Sequence, residues 1–279
     1  MTTSITPASS LVYRTEGKRH GPITRLVSPS DVGQLIKPFV FLDYIEAQGG
    51  GGPQFGFHPH SGIATLTFPM TFDVEHETSQ GQIDHVKAGG LEWMMAGSGI
   101  WHRGRAFSQV PMRGFQIWFV MPPSHELSKP EALFIQPSDV PTQGPVKVLL
   151  GSYQGLHSPI PSPNDVTYVW VSLQDGEDWT YTLPEGHERV WVFAQEGDLQ
   201  VAGTSLHREL AVFPQGLQHI GFKAKGPCGF LLGSTAPYPH DLHMGYYSVH
   251  NSADALVQGE ARIQAIGDEM RSLGKLAAA

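Results

Sequence analysis

Short β-type segments punctuated by glycine and proline recur along almost the whole chain, and that pattern restricts the fold more than any other feature. "PFVFLDYI", "GIATLTF", "TFDVEHET", "IDHVKAG", "LEWMMAG" and "GFQIWFVM" read as strands in the first half. "VKVLLGSY", "DVTYVWVSL", "DWTYTLP", "RVWVFAQEGDLQV", "LAVFP", "HIGFKA" and "CGFLLGS" read as strands in the second. A Pro- and Ser-rich stretch, "MPPSHELSKPEALFIQPSDVP", separates the two sets as an interruption of the strand pattern. Dense strands with Gly, Pro and Asp turns argue for antiparallel barrels or sandwiches. With 32 Gly, 22 Pro and only 16% charged residues, the chain has little material for long charged helices.

A length of 279 residues suits two domains of roughly 100–140 residues each. The halves share a loose "strand, turn, strand, Gly/Pro turn, strand" order, as in "FAQEGDLQVAG", which fits two similar β-domains in tandem. The expectation is an all-β chain of two antiparallel barrels, one over residues 1–135 and one over 136–279. The second ends in a helix: "NSADALVQGEARIQAIGDEMRSLGKL" offers Asn251 or Ser252 as N-cap. It then sets Leu256, Ile263, Ile266, Met270 and Leu273 near helical spacing, a stripe for packing on a barrel.

Charge and cysteine usage exclude several function classes. The net charge is −8 and no run of Lys or Arg exists, so direct nucleic-acid binding and attraction to an anionic membrane lack an electrostatic basis. The longest apolar runs, such as "FQIWFVM", fall far short of the ~20 residues that span a bilayer. "MTTSITPASSLVYRTEGKRHG" has no basic start followed by an apolar core, so no signal peptide is read and a soluble cytoplasmic protein, taken as a monomer, is expected. Cys228 is the single cysteine and reads as a small buried apolar residue rather than a catalytic thiol.

The chemistry concentrates in "FGFHPHSGIATLTF", residues 55–68. Alternate residues of a strand face the same way, so His58 and His60 can direct their rings at one ion. Pro59 between them, having no N–H, implies an edge strand or an irregular ladder. "AGGLEWMMAGSGIWHRG" adds His102 after a Gly-rich turn. H-x-H followed by G-x-x-H is the spacing of the cupin barrel, and three imidazoles suit Fe, Ni, Cu or Zn without choosing among them.

"FVFLDYI", "HPHSGIATLTF", "VEHE", "LEWMMAGSGIWH" and "GFQIWFV" together resemble the signature blocks of the pirins, a family of bicupins, in the pirin order. The resemblance implies two cupin barrels with one mononuclear divalent metal, iron first, in the N-terminal barrel. It implies His58, His60 and His102 as ligands. Some members of the family are associated with quercetin 2,3-dioxygenase activity and others with transcriptional co-regulation through a protein partner. The fourth pirin ligand is a glutamate two residues after the third histidine; in "IWHRGRA" that place is Gly104. A second familiar glutamate, four residues after the HPH motif, is replaced by Ala64.

These replacements have physical weight. A carboxylate ligand neutralises one unit of the metal's charge and can serve as a base towards an acidic substrate hydroxyl. Three histidines and water remain a working catalytic set. Arg103 and Arg105 beside the site work against a cation unless both point to solvent. Glu77 and Glu92 are the carboxylates that could substitute, and by family position Gln116 lines the pocket. In the second half His187 and His219 lack an H-x-H partner, so that barrel is expected to be metal-free. The glycines Gly49–Gly52 ahead of Pro53 read as a loop at a barrel mouth, not a phosphate loop. "AGSG" around Ser98 is not a nucleophile elbow, since Ala96 and Ile100 stand at the flanking glycine positions. "HDLHMGYYSVH", residues 240–250, is histidine-rich but lies between barrel and helix.

Three functional readings stay open. One is a quercetinase-type oxygenase acting on a flavonoid-like or enediol substrate at a three-histidine metal. Another is a non-enzymatic regulator that binds a protein partner with weak metal or none. The third is a degenerate pirin-like chain that has lost its metal and acts structurally.

Overall fold

The computed structural model describes residues 11–49 and 54–276. The loop reading for Gly49–Gly52 and Pro53 therefore falls, apart from Gly49, outside the described residues. The chain forms two compact units, each assembled from two stretches: Lys18–Val140 with Pro239–Ala279, and Met1–Gly17 with Pro141–Tyr238. A division at 135/136 misplaces both ends. The short strand Tyr13–Thr15 pairs with Glu209–Val212 of the later barrel, and the C-terminal helix packs on the strand Ile100–Phe107 of the earlier one.

The unit that begins at Lys18 contains β1 (Lys18–His20), β2 (Ile23–Val27), β3 (Phe39–Ala47), β4 (Gln54–His60), β5 (Ile63–Pro69), β6 (Asp73–Thr78) and β7 (Ile83–Val86). It continues with β8 (Leu91–Met95), β9 (Ile100–Phe107), β10 (Met112–Val120) and β11 (Glu131–Ile135). β11 lies inside the Pro-rich stretch that the sequence pattern treats as an interruption; "EALFI" pairs antiparallel with β8. Two sheets result, in the orders β11-β8-β5-β10-β3-β2-β1 and β4-β9-β6-β7. Ile45 and Met112 from the first pack with Val74 and Val86 from the second and with Phe72, so the sheets share an apolar interior. β4 sits at the end of its sheet, where a strand containing Pro59 belongs, because its missing donor leaves no ladder bond unmade on a second side.

The other unit is built on a ten-stranded sheet. Its main strands are β12 (Val146–Tyr153), β13 (Val166–Leu173), β14 (Asp178–Thr182), β15 (Arg189–Val201), β16 (Glu209–Val212) and β17 (His219–Thr235). "HIGFKA" and "CGFLLGS" are thus one 17-residue strand rather than two. Against it β15 makes register shifts around Glu196. The left-handed Gly197 (φ 74°) is required there, since a Cβ would lie 2.2 Å from the Pro227 carbonyl oxygen. Val169, Val171, Val192, Phe222, Phe230 and Leu232 fill this barrel, and Cys228 is buried at its edge, where burial raises its thiol pKa.

Helix α1 (Ala253–Ser272) starts at Ser252, whose Oγ accepts a hydrogen bond from the Ala255 N–H at 3.1 Å. Its buried face is Ala255, Gly259, Ile263, Gly267 and Met270, narrower than the stripe read from sequence, and Leu273 is exposed. Small residues in that face let the helix backbone approach the barrel closely.

Candidate metal centre

Strand pairing brings the three histidines together. β9 runs antiparallel to β4 with His102 opposite His58 and Ile100 opposite His60. Residues directly and diagonally opposite on one face are neighbours, so His102 meets both members of the H-x-H pair. The ring centroids lie 5.0 Å apart for His58–His60, 4.3 Å for His58–His102 and 5.1 Å for His60–His102. One nitrogen from each ring lies within 4.8 Å of the others, a group that could hold a metal ion.

Each ring is tied through Nδ1. His58 Nδ1 lies 2.8 Å from the Gly56 carbonyl oxygen and His60 Nδ1 lies 2.9 Å from the Tyr247 carbonyl oxygen. His102 Nδ1 lies 2.8 Å from His76 Nε2. A carbonyl only accepts, so His58 and His60 donate from Nδ1 and keep a lone pair on Nε2. Nε2 of His60 and Nε2 of His102 are buried with no hydrogen-bond partner. An unpaired buried polar atom is costly, and two of them in one cluster fit a ligand atom that a cation would satisfy. Trp118 stacks its edge against His60 at 4.8 Å and limits ring rotation.

Burial sets the protonation of the cluster. It lowers the pKa of His58, pushes His60 down to about 3 with help from the neighbouring His58, and holds His102 well below the ordinary histidine value. Neutral imidazoles at neutral pH are the form that ligates metals.

The carboxylates considered from sequence do not join the three histidines. On β6 the burial alternates, so Val74, His76 and Thr78 face inward while Glu75 and Glu77 face out. Glu77 pairs with Arg103, whose guanidinium also lies 4.9 Å from the Phe57 ring centroid. Glu75 lies 3.4 Å from Arg105. Both arginines are thus neutralised by carboxylates of the adjacent strand. Glu92, only 4% exposed, sits 3.2 Å from His76 Nε2 and forms a second group with His76 and His102. His76 is the residue that sequence reasoning passed over: period-two facing from Val74 places it inside, next to the outward-facing Glu77.

Gly104 lies opposite His76 in the β9–β6 ladder, and a Cβ there would meet nothing within 4 Å. A cavity of ≈ 60 Å³ opens at this point, bordered by His58, His76, His102, Glu92, Gly104 and Gln116. Gln116 reaches Thr67 Oγ1 at 3.5 Å, at the limit of a hydrogen bond. Ala64 is fully buried in β5. In the other barrel His187 is buried against Ser234 Oγ (2.7 Å) and Asp165 (3.2 Å), and His219 is exposed beside Thr182. The histidine-rich stretch 240–250 contributes His250, buried and bound to Glu126 at 3.0 Å.

Known proteins resemble this chain in sequence and in fold. The family profile described as Pirin matches residues 22–119, the span that includes all three histidines. A Pseudomonas aeruginosa protein provisionally named quercetin 2,3-dioxygenase is 33% identical over 200 residues, 65% of this chain and 67% of that one. A pirin-like protein of Caulobacter vibrioides is 29% identical over 255 residues, 84% of this chain and 85% of its own. Among solved structures, quercetin 2,3-dioxygenase from Acinetobacter baumannii superposes with a TM-score of 0.81 at 22% identity, covering 92% of this chain and 94% of that one. The Escherichia coli bacterial pirin YhhW, solved in complex with nickel(II), superposes with a TM-score of 0.63 at 21% identity, covering 79% and 94%. At those identities the superpositions speak for the bicupin fold, while the sequence relatives settle kinship: this chain belongs to the pirin family.

Proposed function

We propose that the chain is a metal-dependent oxygenase of the quercetinase type, with His58, His60 and His102 holding one divalent transition metal, iron first. The observation that carries the reading is the set of three rings tied at Nδ1, two of which bury an Nε2 with no partner. A bound metal would supply Lewis acidity towards the oxygens of a chelating substrate and a route to O₂.

The chain's own residues shape what can approach. A cavity of ≈ 60 Å³ holds a few waters, at about 10–15 Å³ each. It admits the oxygen-bearing end of an enediol, or the chelating edge of a flavonol whose remaining rings stay outside. Gln116 and Thr67 offer hydrogen-bonding groups on one wall, and Phe72, Val74 and Ile45 an apolar one. Glu92 is the buried carboxylate of the cavity and its acceptor for a substrate hydroxyl.

Gly104 favours a second reading, a regulator that binds a protein partner, because it leaves three neutral imidazoles without a carboxylate to offset the metal's charge. The test is elemental mass spectrometry of untagged protein, followed by O₂-uptake assays with a flavonol and with small enediols. One equivalent of metal and uptake that His102→Ala abolishes supports the oxygenase. Metal without uptake favours the regulator. Protein that takes up no metal when supplied with it removes the oxygenase reading.

A further inference from the structure

The barrel that carries the three histidines is completed by chain that follows it by more than a hundred residues. His60 Nδ1 donates to the carbonyl of Tyr247, 187 positions away. That carbonyl fixes which nitrogen of His60 is free, since a ring that loses its Nδ1 acceptor can shift its proton to Nε2 and stop being a ligand. What holds Tyr247 in place is therefore part of what makes His60 available.

The hold is a buried set of hydrogen bonds. Ser248 pairs with Ser61 as a parallel bridge, and their hydroxyls lie 2.8 Å apart. Ser61 Oγ lies 2.9 Å from His250 Nε2, and His250 Nδ1 lies 3.0 Å from Glu126 Oε2. The same carboxylate oxygen accepts the Asn251 backbone N–H at 2.8 Å, and the Asn251 side-chain amide donates to the Met121 carbonyl at 2.8 Å. Met121 N–H in turn donates to the Gly62 carbonyl at 3.0 Å, which closes the circuit one residue from Ser61. Ser61 and His250 are fully buried and Glu126 nearly so, which puts the hydroxyl out of reach of any substrate. The Ser–His–Glu order is thus no hydrolase centre.

Helix α1 presses on the same place. A Cβ on Gly259 would lie 2.5 Å from both His250 Nε2 and Ser61 Oγ, and a Cβ on Gly62 would lie 2.2 Å from the Val249 carbonyl oxygen. One turn on, the Ile263 carbonyl accepts the Trp101 indole N–H at 2.7 Å. The C-terminal segment thus contacts Ser61, next to His60, and Trp101, next to His102.

We propose that Glu126, His250 and Ser61 are positioning residues of the metal centre: they seat the 247–251 segment so that the Tyr247 carbonyl holds His60 with Nε2 facing the metal. This rests on the three-histidine reading given above. Outer partners of metal-bound histidines typically contribute 10–100-fold to affinity, and the same scale is expected here although the acceptor is a backbone atom set by remote side chains.

The experiment uses the full chain with Co²⁺ as the probe, its affinity measured by competition with a chromophoric chelator and its geometry by the visible spectrum. Glu126→Gln keeps the shape of the side chain and is the main variant; His250→Ala is the second, and His187→Ala, in the other barrel, is the control. Long-range ¹⁵N–¹H NMR of the chelated protein reads the His60 tautomer directly, a property that a purely structural role would leave alone. The expected result is tight Co²⁺ binding by the unaltered chain and by His187→Ala. Glu126→Gln, folded by circular dichroism, should bind 10–100-fold more weakly with an altered spectrum and a His60 no longer held as Nδ1–H. A folded Glu126→Gln with unaltered affinity, spectrum and tautomer overturns the proposal while leaving the three-histidine site intact. Failure of the unaltered chain to bind Co²⁺ overturns the site itself and the proposal with it.

Discussion

His76 Nε2 lies 2.8 Å from His102 Nδ1, and the same nitrogen lies 3.2 Å from Glu92 Oε1, so one buried ring nitrogen faces both a candidate metal ligand and a carboxylate. Replacing His76 with Ala leaves His102 Nδ1 without its partner in a buried site. The expected outcome is a 10–100-fold loss of metal affinity, measured by chelator competition, with the β-rich circular dichroism retained.

The pH dependence of stability follows from the same burial. A histidine whose folded pKa lies below its unfolded value binds fewer protons folded than unfolded, so stability is full above the unfolded value and falls as pH drops. For His60 the window runs from about 6.5, the unfolded value, down to about 3. His58, His102 and His250 shift in the same direction, each chiefly through burial. Urea midpoints of the metal-free protein should therefore decline steadily between pH 7.5 and pH 4. A flat profile would contradict the burial of these rings as neutral groups.

Gly104→Glu tests the open face of the site. The position has strand geometry without a positive φ, and a Cβ added there has no neighbour within 4 Å, so the side chain enters free space. A carboxylate next to three neutral imidazoles offsets one unit of a dication's charge. Calorimetric titration should show tighter metal binding than in the unaltered chain, at an unchanged melting temperature.

Gly259→Ala tests the fit of the helix. The added methyl would lie 2.5 Å from His250 Nε2 and Ser61 Oγ, so the helix must shift outward. Overpacking of this kind costs roughly 1–3 kcal/mol, against the gain in helix propensity that an exposed Gly→Ala change would bring. Equilibrium urea unfolding reads the sign: a stabilised Gly259→Ala protein would mean that the helix does not sit this close.

The β-rich fold and the three histidines were legible because both depend on local pattern. Period-two runs and Gly/Pro turns name strands, and H-x-H with G-x-x-H names residues that adjacent strands bring into register. What escaped depends on partners far along the chain. "EALFI" looks like part of a Pro-rich linker and becomes β11 only because β8 offers it a sheet edge. Strand parity was the available signal for His76, which shares the inward face of Val74 and Thr78. No local signal marks His250, Glu126 or Ser61 as a set, since 65 residues separate the first two members in sequence order and 124 the last two. The bounds of the two expected barrels escaped for the same reason: each unit borrows a stretch from the opposite end of the chain.

That borrowing bears on how the molecule is made. A ribosome delivers Met1–Gly17 of the other barrel first, then Lys18–Val140, then Pro141–Tyr238, and only then Pro239–Ala279, which supplies the carbonyl that orients His60. Until that last stretch emerges, the nascent barrel carries three histidines whose arrangement is unfinished, and its closure waits on contacts of very long sequence separation. On the three-histidine reading, a metal met early in synthesis would find a loose set of imidazoles, and selectivity would belong to the finished polypeptide.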